Sequence, residues 1–177
     1  MYKLMLVDDE ENILRSLQRA LAPEPYEVET FTSGSEALAR MEQADFDLVL
    51  SDYRMPGMDG IALLAECKKR HPDTMRIILS GYTDLAALLG AINQAQIYRF
   101  LCKPWQDYDL KTAIFQALSH RAVLIENRRL AEQVRQQQSQ LYRQGHLLQQ
   151  LESENPGITQ VKWADDGSVI MDDEGGA

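Results

Sequence analysis

Leu4-Met5-Leu6-Val7-Asp8-Asp9 decides the fold of this chain: four apolar residues in a row, then two carboxylates. An uninterrupted apolar run this short is too brief for a helix and suits a strand buried on both faces of a parallel sheet. The pattern recurs three times. Leu48-Val49-Leu50-Ser51 leads to Asp52, Ile77-Ile78-Leu79 to Ser80, and Phe100-Leu101-Cys102 to Lys103. In an open parallel sheet the carboxyl ends of the strands line one crevice, where ligands bind. Three carboxylates, a hydroxyl and an ammonium are therefore expected to converge. Carboxylates at that density repel one another unless a hard cation sits among them.

Working outward, strand-like and helix-like segments alternate as far as about residue 120. Glu11–Leu21 carries Ile13, Leu14, Leu17 and Leu21 at helical spacing, and Pro23 stops it. Tyr26–Phe31 alternates as an edge strand does, and Ser33-x-x-Glu36 has capping-box spacing for a helix running to about Met41. After the turn-rich Met55-Pro56-Gly57-Met58-Asp59-Gly60 comes a helix over Ile61–Lys69, ended by His71-Pro72. Arg76–Leu79 reads as the fourth strand, Asp84–Ala95 as the fourth helix and Ile97–Leu101 as the fifth strand. Five such units in strict alternation predict a doubly wound, five-stranded parallel α/β sheet.

The fifth helix starts near Asp107 and does not stop: from Leu110 to Glu152 there is no proline, and the only glycine is Gly145. A 3,4 spacing runs through Leu124, Asn127, Ala131, Val134, Gln138, Leu141, Gly145, Leu148 and Glu152. Val134, Leu141 and Leu148 fall seven apart, which fits a short coiled coil with Asn127 setting the register; a single amphipathic helix is the alternative. Beyond Asn155-Pro156-Gly157, residues 158–163 and 168–171 read as a small β-hairpin across Asp165-Asp166-Gly167, followed by a disordered acidic end. Three parts are expected: 1–120, 121–154 and 155–177.

The 177 residues carry a formal net charge of -9. An acidic chain makes a poor non-specific partner for nucleic acid, whose phosphates need Lys and Arg. No apolar run approaches the roughly 20 residues that a membrane span requires. Cys67 and Cys102 lack metal-ligand spacing and read as buried thiols in a reducing, cytoplasmic setting.

The residues suggest a chemistry. Mg²⁺ takes carboxylate, water and phosphate oxygens; Asp9 and Asp52 would bind it directly and Asp8 through water. Asp52, alone after its strand, would attack phosphorus and form an aspartyl phosphate. Lys103 and Ser80 would hold phosphoryl oxygens, and the N–H groups of Tyr53, Arg54 and Gly81 would cradle the rest. A cis peptide before Pro104 would orient Lys103. Singly, each residue has a plainer reading: Asp9 as a helix cap, Asp52 as a turn residue, Lys103 as a solvated charge.

Together, Leu-Val-Asp-Asp-Glu at 6–10, Leu-Ser-Asp-Tyr-Arg-Met-Pro-Gly-Met-Asp-Gly at 50–60, Leu-Ser-Gly at 79–81 and Phe-Leu-Cys-Lys-Pro-Trp at 100–105 resemble the receiver domain of two-component response regulators. Tyr-Arg-Phe-Leu-Cys-Lys-Pro-Trp looks like the version found in receivers fused to HD-GYP phosphodiesterases or AAA+ activators, and the resemblance to the receiver covers about residues 1–120. The resemblance implies a flavodoxin-like strand order 2-1-3-4-5 and a sensor histidine kinase, or a phosphotransfer protein, that donates a phosphoryl group to Asp52. It also implies that Asp8, Asp9 and the Arg54 carbonyl serve Mg²⁺ with Asp52, and that Ser80 and Lys103 hold the phosphate. The family pairs the hydroxyl with an aromatic three residues before the lysine, here Phe100, which would turn inward when Ser80 moves to the phosphate.

Arg54 and Tyr82 flank the line along which a hydrolytic water attacks, so a long-lived phosphate is expected. Within these residues there is no HD-type His-Asp pair, no phosphate-binding Gly-rich loop and no basic recognition helix. The expected output is a change of partner or assembly state, with homodimerisation through the long helix and no enzymatic activity beyond self-catalysed phosphotransfer and slow dephosphorylation. The alternatives are an aspartyl-phosphate phosphatase or phosphotransferase acting on a diffusible substrate, and a non-phosphorylated adaptor. His120 reads as a solvated helix residue rather than a phosphate relay.

Overall fold

The parallel sheet expected from the apolar runs is present. A computed structural model describes residues 1–81 and 95–156. It contains β1 (Tyr2–Val7), α1 (Glu11–Leu21), β2 (Tyr26–Phe31), α2 (Gly34–Met41), β3 (Leu48–Asp52), α3 (Gly60–Arg70), β4 (Met75–Gly81), β5 (Arg99–Lys103) and α4 (Asp107–Glu154). The five strands are all parallel in the order β2-β1-β3-β4-β5, the doubly wound order with helices on both faces. Residues 84–94 of the expected helix at 84–95, and the expected hairpin at 158–171, lie outside the described residues.

The continuous apolar runs are central because both of their faces are covered. All five residues of β3 are buried. Even-numbered Leu4, Leu6, Leu48 and Leu50 join Leu14, Leu17, Leu110, Ile114 and Leu118 in one core; Met5, Val7, Val49 and Ile78 join Leu38, Leu63, Leu64 and Cys67 in the other. β2, at the sheet edge, is only half-buried, as its alternating sequence implies.

The Ser33 cap expected for α2 is present, and α3, expected from Ile61, starts one residue earlier behind an Asp59 cap. Ser33 Oγ accepts from Glu36 N, and Asp59 Oδ1 accepts from Ala62 N at 2.7 Å. α1 starts at Glu11 as expected, but its N-cap is Glu10 with no side-chain cap bond, so Asp9 does not cap it. β5 begins two residues later than expected, which puts Lys103 at the last position of the strand. The Lys103–Pro104 peptide is cis.

Cys67 is buried but Cys102 is only half-buried, contrary to the expectation for both. The reason is its place on β5, the outer strand of the sheet beyond β4. Among the described residues no helix is long and apolar enough to cross a membrane.

Met1–Glu126 forms one compact unit, and α4 continues from Asn127 in a second. The buried positions of α4 are Leu110, Ala113, Ile114, Ala117 and Leu118; from Ala122 onward its residues are exposed except for Glu152. At Arg121 the guanidinium donates to the Asp73 carbonyl (2.9 Å) and pairs with Asp47 Oδ1 (2.8 Å).

Candidate functional site

Strand register assembles the site. Val7 lies beside Ser51 and Asp52 beside Leu79, while Ser80 pairs with Cys102 and Gly81 with Lys103. The residues that follow or close β1, β3, β4 and β5 therefore reach one end of the sheet together.

Lys103 binds two of them. Its Nζ lies 2.7 Å from Asp8 Oδ2 and 2.5 Å from Asp52 Oδ1. Asp8 is fully buried, and its other oxygen accepts from Glu10 N at 2.9 Å. Asp52 Oδ2 accepts from Arg54 N at 2.8 Å. Every carboxylate oxygen of the pair thus has a donor, which is what keeps two buried carboxylates side by side tolerable.

Burial pushes the Asp8 carboxyl above the usual carboxylate range; the Asp52 charge adds to this, and the bonds from Lys103 and Glu10 N oppose it. For Lys103, burial acts to lower the pKa, but Asp52 and Asp8 outweigh it and hold the ammonium above its ordinary value. The lysine is a fixed positive charge between two carboxylates.

Ser80 is buried beside them on β4, with its hydroxyl donating to the Gly81 carbonyl at 3.1 Å. Asp9 and Arg54 are exposed at the rim. Phe100 is exposed on β5 beside Ile78. Tyr82 lies outside the described residues. His120 is exposed, with its ring stacked on Tyr98. The Tyr53 N–H, expected to cradle an anion, instead donates to the Leu79 carbonyl at 2.8 Å, because the β3–β4 ladder runs on by one bond. Among the described residues no three His, Cys, Asp or Glu side chains are already grouped as a cation cage.

Sequence reasoning missed the support beneath the site. Ser51 Oγ donates to the Asp52 carbonyl at 2.9 Å, and Gly60 N donates to the Tyr53 carbonyl at 2.9 Å, so α3 begins directly against the end of β3. Gly57 adopts φ 79° in the loop between them. The only prior signal was the glycine content of 57–60, which reads as an ordinary turn. Arg76 was missed as well. It is buried and donates to the carbonyls of Thr74 (2.6 Å) and Ala95 (3.0 Å), fixing the start of β4.

The model of the response regulator receiver domain family matches residues 4–115. The hydrogenase transcriptional regulatory protein HoxA of Cupriavidus necator is 36% identical over 115 residues, covering 65% of this chain and 24% of that protein. The DNA-binding transcriptional regulator NtrC of Salmonella typhimurium is 40% identical over the same length and shares. The chain thus spans about a quarter of the length of these curated relatives. Among solved structures, the signal receiver domain of an HD domain-containing protein from Pseudomonas fluorescens is 41% identical with TM-score 0.68, covering 71% of this chain and 92% of that one.

Proposed function

Because the chain belongs to the response regulator receiver domain family, we propose that it is a phosphorelay switch in which Asp52 takes a phosphoryl group from the phosphohistidine of a cytoplasmic sensor kinase or phosphotransfer protein. The observation that carries this reading is Lys103 Nζ held between Asp8 and Asp52 at the mouth of the parallel sheet.

In the reaction, an Asp52 carboxylate oxygen bonds to phosphorus as the donor's N–P bond breaks, and the imidazole leaves with the electron pair. The Arg54 N–H already holds one Asp52 oxygen, which orients the carboxylate. Lys103 exchanges a carboxylate oxygen for a phosphoryl oxygen, with its charge assured by its raised pKa. Ser80 Oγ leaves the Gly81 carbonyl for another phosphoryl oxygen, and Phe100 turns inward. The oxygen donors of Asp8, Asp9, Asp52 and the Arg54 carbonyl are of the hard kind that would hold Mg²⁺ once drawn together. That ion, when bound, offsets charge on the transferring group. The chemistry is self-catalysed, and the output is a change in assembly or partner.

The test is intact-mass spectrometry after incubation with Mg²⁺ and acetyl phosphate, run beside Asp52→Asn. One phosphoryl addition in the wild type and none in the variant is expected. Equal labelling of both, or none in either, overturns the assignment.

A further inference from the structure

The exposed part of α4 carries an apolar seam that keeps Asn127, Val134, Leu141 and Leu148 of the 3,4 line but takes its alternate positions one residue earlier. Val123, Leu130, Val134, Leu141, Leu148 and Leu151 are 37–67% exposed, although each is large and apolar. They fall at intervals of 7, 4, 7, 7 and 3 residues, the positions of a single a/d stripe. Asn127, Gln137 and Gln144 occupy its remaining places. Away from the seam lie Arg135, Ser139, Arg143 and His146, a mostly polar outer face broken by exposed Ile125 and Tyr142. Ala131, Gln138, Gly145 and Glu152 only flank it.

We propose that a second copy of this chain covers this seam, as a parallel, in-register two-stranded coiled coil with the two Asn127 side chains facing each other. The assembly output proposed above would then act through this seam, so the inference rests on that reading for its role, though not for its geometry.

Area supports a second copy as occupant. Closing the seam covers twelve apolar side chains in the pair. At roughly 60–100 Å² for each aliphatic side chain, this gives roughly 700–1,200 Å². Flanking Leu124 and Leu147 are exposed too and add to it, reaching the roughly 1,200 Å² at which specific interfaces become stable.

Pairing chemistry chooses the orientation. In a parallel pair every polar layer meets itself: Asn127 on Asn127, Gln137 on Gln137, Gln144 on Gln144. A fully overlapped antiparallel pair sets Asn127 against Leu148 and Leu130 against Gln144, which leaves buried amides without partners. Three polar layers in nine also keep the coil weak enough for the receiver to tip.

Sedimentation equilibrium of the full chain, with and without beryllofluoride and Mg²⁺, tests the seam. In the state that self-associates, Leu130→Lys with Leu141→Lys should halve the mass, and Gln138→Lys should leave it at that of two chains. Circular dichroism confirms that the variants remain folded. With dissolved oxygen and copper phenanthroline as oxidant, Val134→Cys should form a disulfide joining residue 134 of one chain to residue 134 of the other, identified by peptide mapping. A double-lysine variant that stays dimeric, a Gln138→Lys variant that dissociates, or a wild type that is monomeric in both states overturns the seam. A dimer indifferent to beryllofluoride leaves the seam standing and overturns only the switching role.

Discussion

Gly60 stands against the backbone of Asp52 so closely that a Cβ there would lie 2.0 Å from the Asp52 carbonyl oxygen and 3.1 Å from Ser51 Oγ. The near atom is backbone at the end of a fully buried strand, so it cannot swing aside as a flexible side chain would.

Gly60→Ala should therefore cost about 3 kcal/mol or more, the upper range for overpacking, and should move Asp52 relative to Lys103. Urea unfolding and the rate of acetyl phosphate labelling would register the two effects. Near wild-type values in both would show that α3 shifts freely away from β3.

Asp8 is held at an energetic cost. Its folded pKa is raised above the ordinary 3.8, so its contribution to stability is fully present only below that value, while it is protonated in both states. The contribution is lost as pH rises through the raised value. Asp8→Asn should accordingly raise the melting temperature by a few degrees near neutral pH in EDTA, on the order of 1 kcal/mol. The gain should vanish below pH 3.8. A destabilised Asp8→Asn at neutral pH would mean that the bond from Lys103 outweighs burial.

Arg54 stands exposed two residues after Asp52, at the rim of the site. If it obstructs the hydrolytic water, Arg54→Ala should shorten the half-life of phosphorylated Asp52 several-fold, with the labelling rate little changed. Decay of the phosphorylated mass after removal of acetyl phosphate measures this; an unchanged half-life removes Arg54 from any such role.

The two thiols should differ in reactivity. Burial pushes Cys67 up to about 11, despite the neighbouring Arg76, and the thiolate is the reactive form. Iodoacetamide at pH 8 should label half-buried Cys102 while leaving Cys67 untouched until the protein is unfolded. Peptide mapping after a timed pulse decides it.

Gly145 lies within α4, where an added Cβ meets nothing within 4 Å. Gly145→Ala should stabilise the helix by about 1 kcal/mol and tighten self-association. Thermal melting followed by ellipticity would show a higher midpoint, and an unchanged midpoint would mean that this turn is not helical in solution.

Much of this was legible in the chain. Leu4–Val7 and Leu48–Ser51 are uninterrupted apolar runs because their strands are covered on both sides, and that pattern, alternating with helical periods, points to a parallel sheet. Asp8, Asp52, Ser80 and Lys103 could be placed at one edge from their positions at or beside strand ends. The end of β5 was harder to place, since an outer strand carries a weaker apolar pattern.

The sequence by itself determined the alternation of strands and helices, the edge at which the polar residues gather and the length of α4. These follow from local periodicity and turn chemistry, which act over a few residues. Only the tertiary structure decided that Lys103 binds Asp8 and Asp52 together, that the Tyr53 N–H belongs to the ladder, and that Gly60 has no room for a side chain. Such facts depend on strand register and on atoms brought together from distant parts of the chain, and no local pattern records those distances.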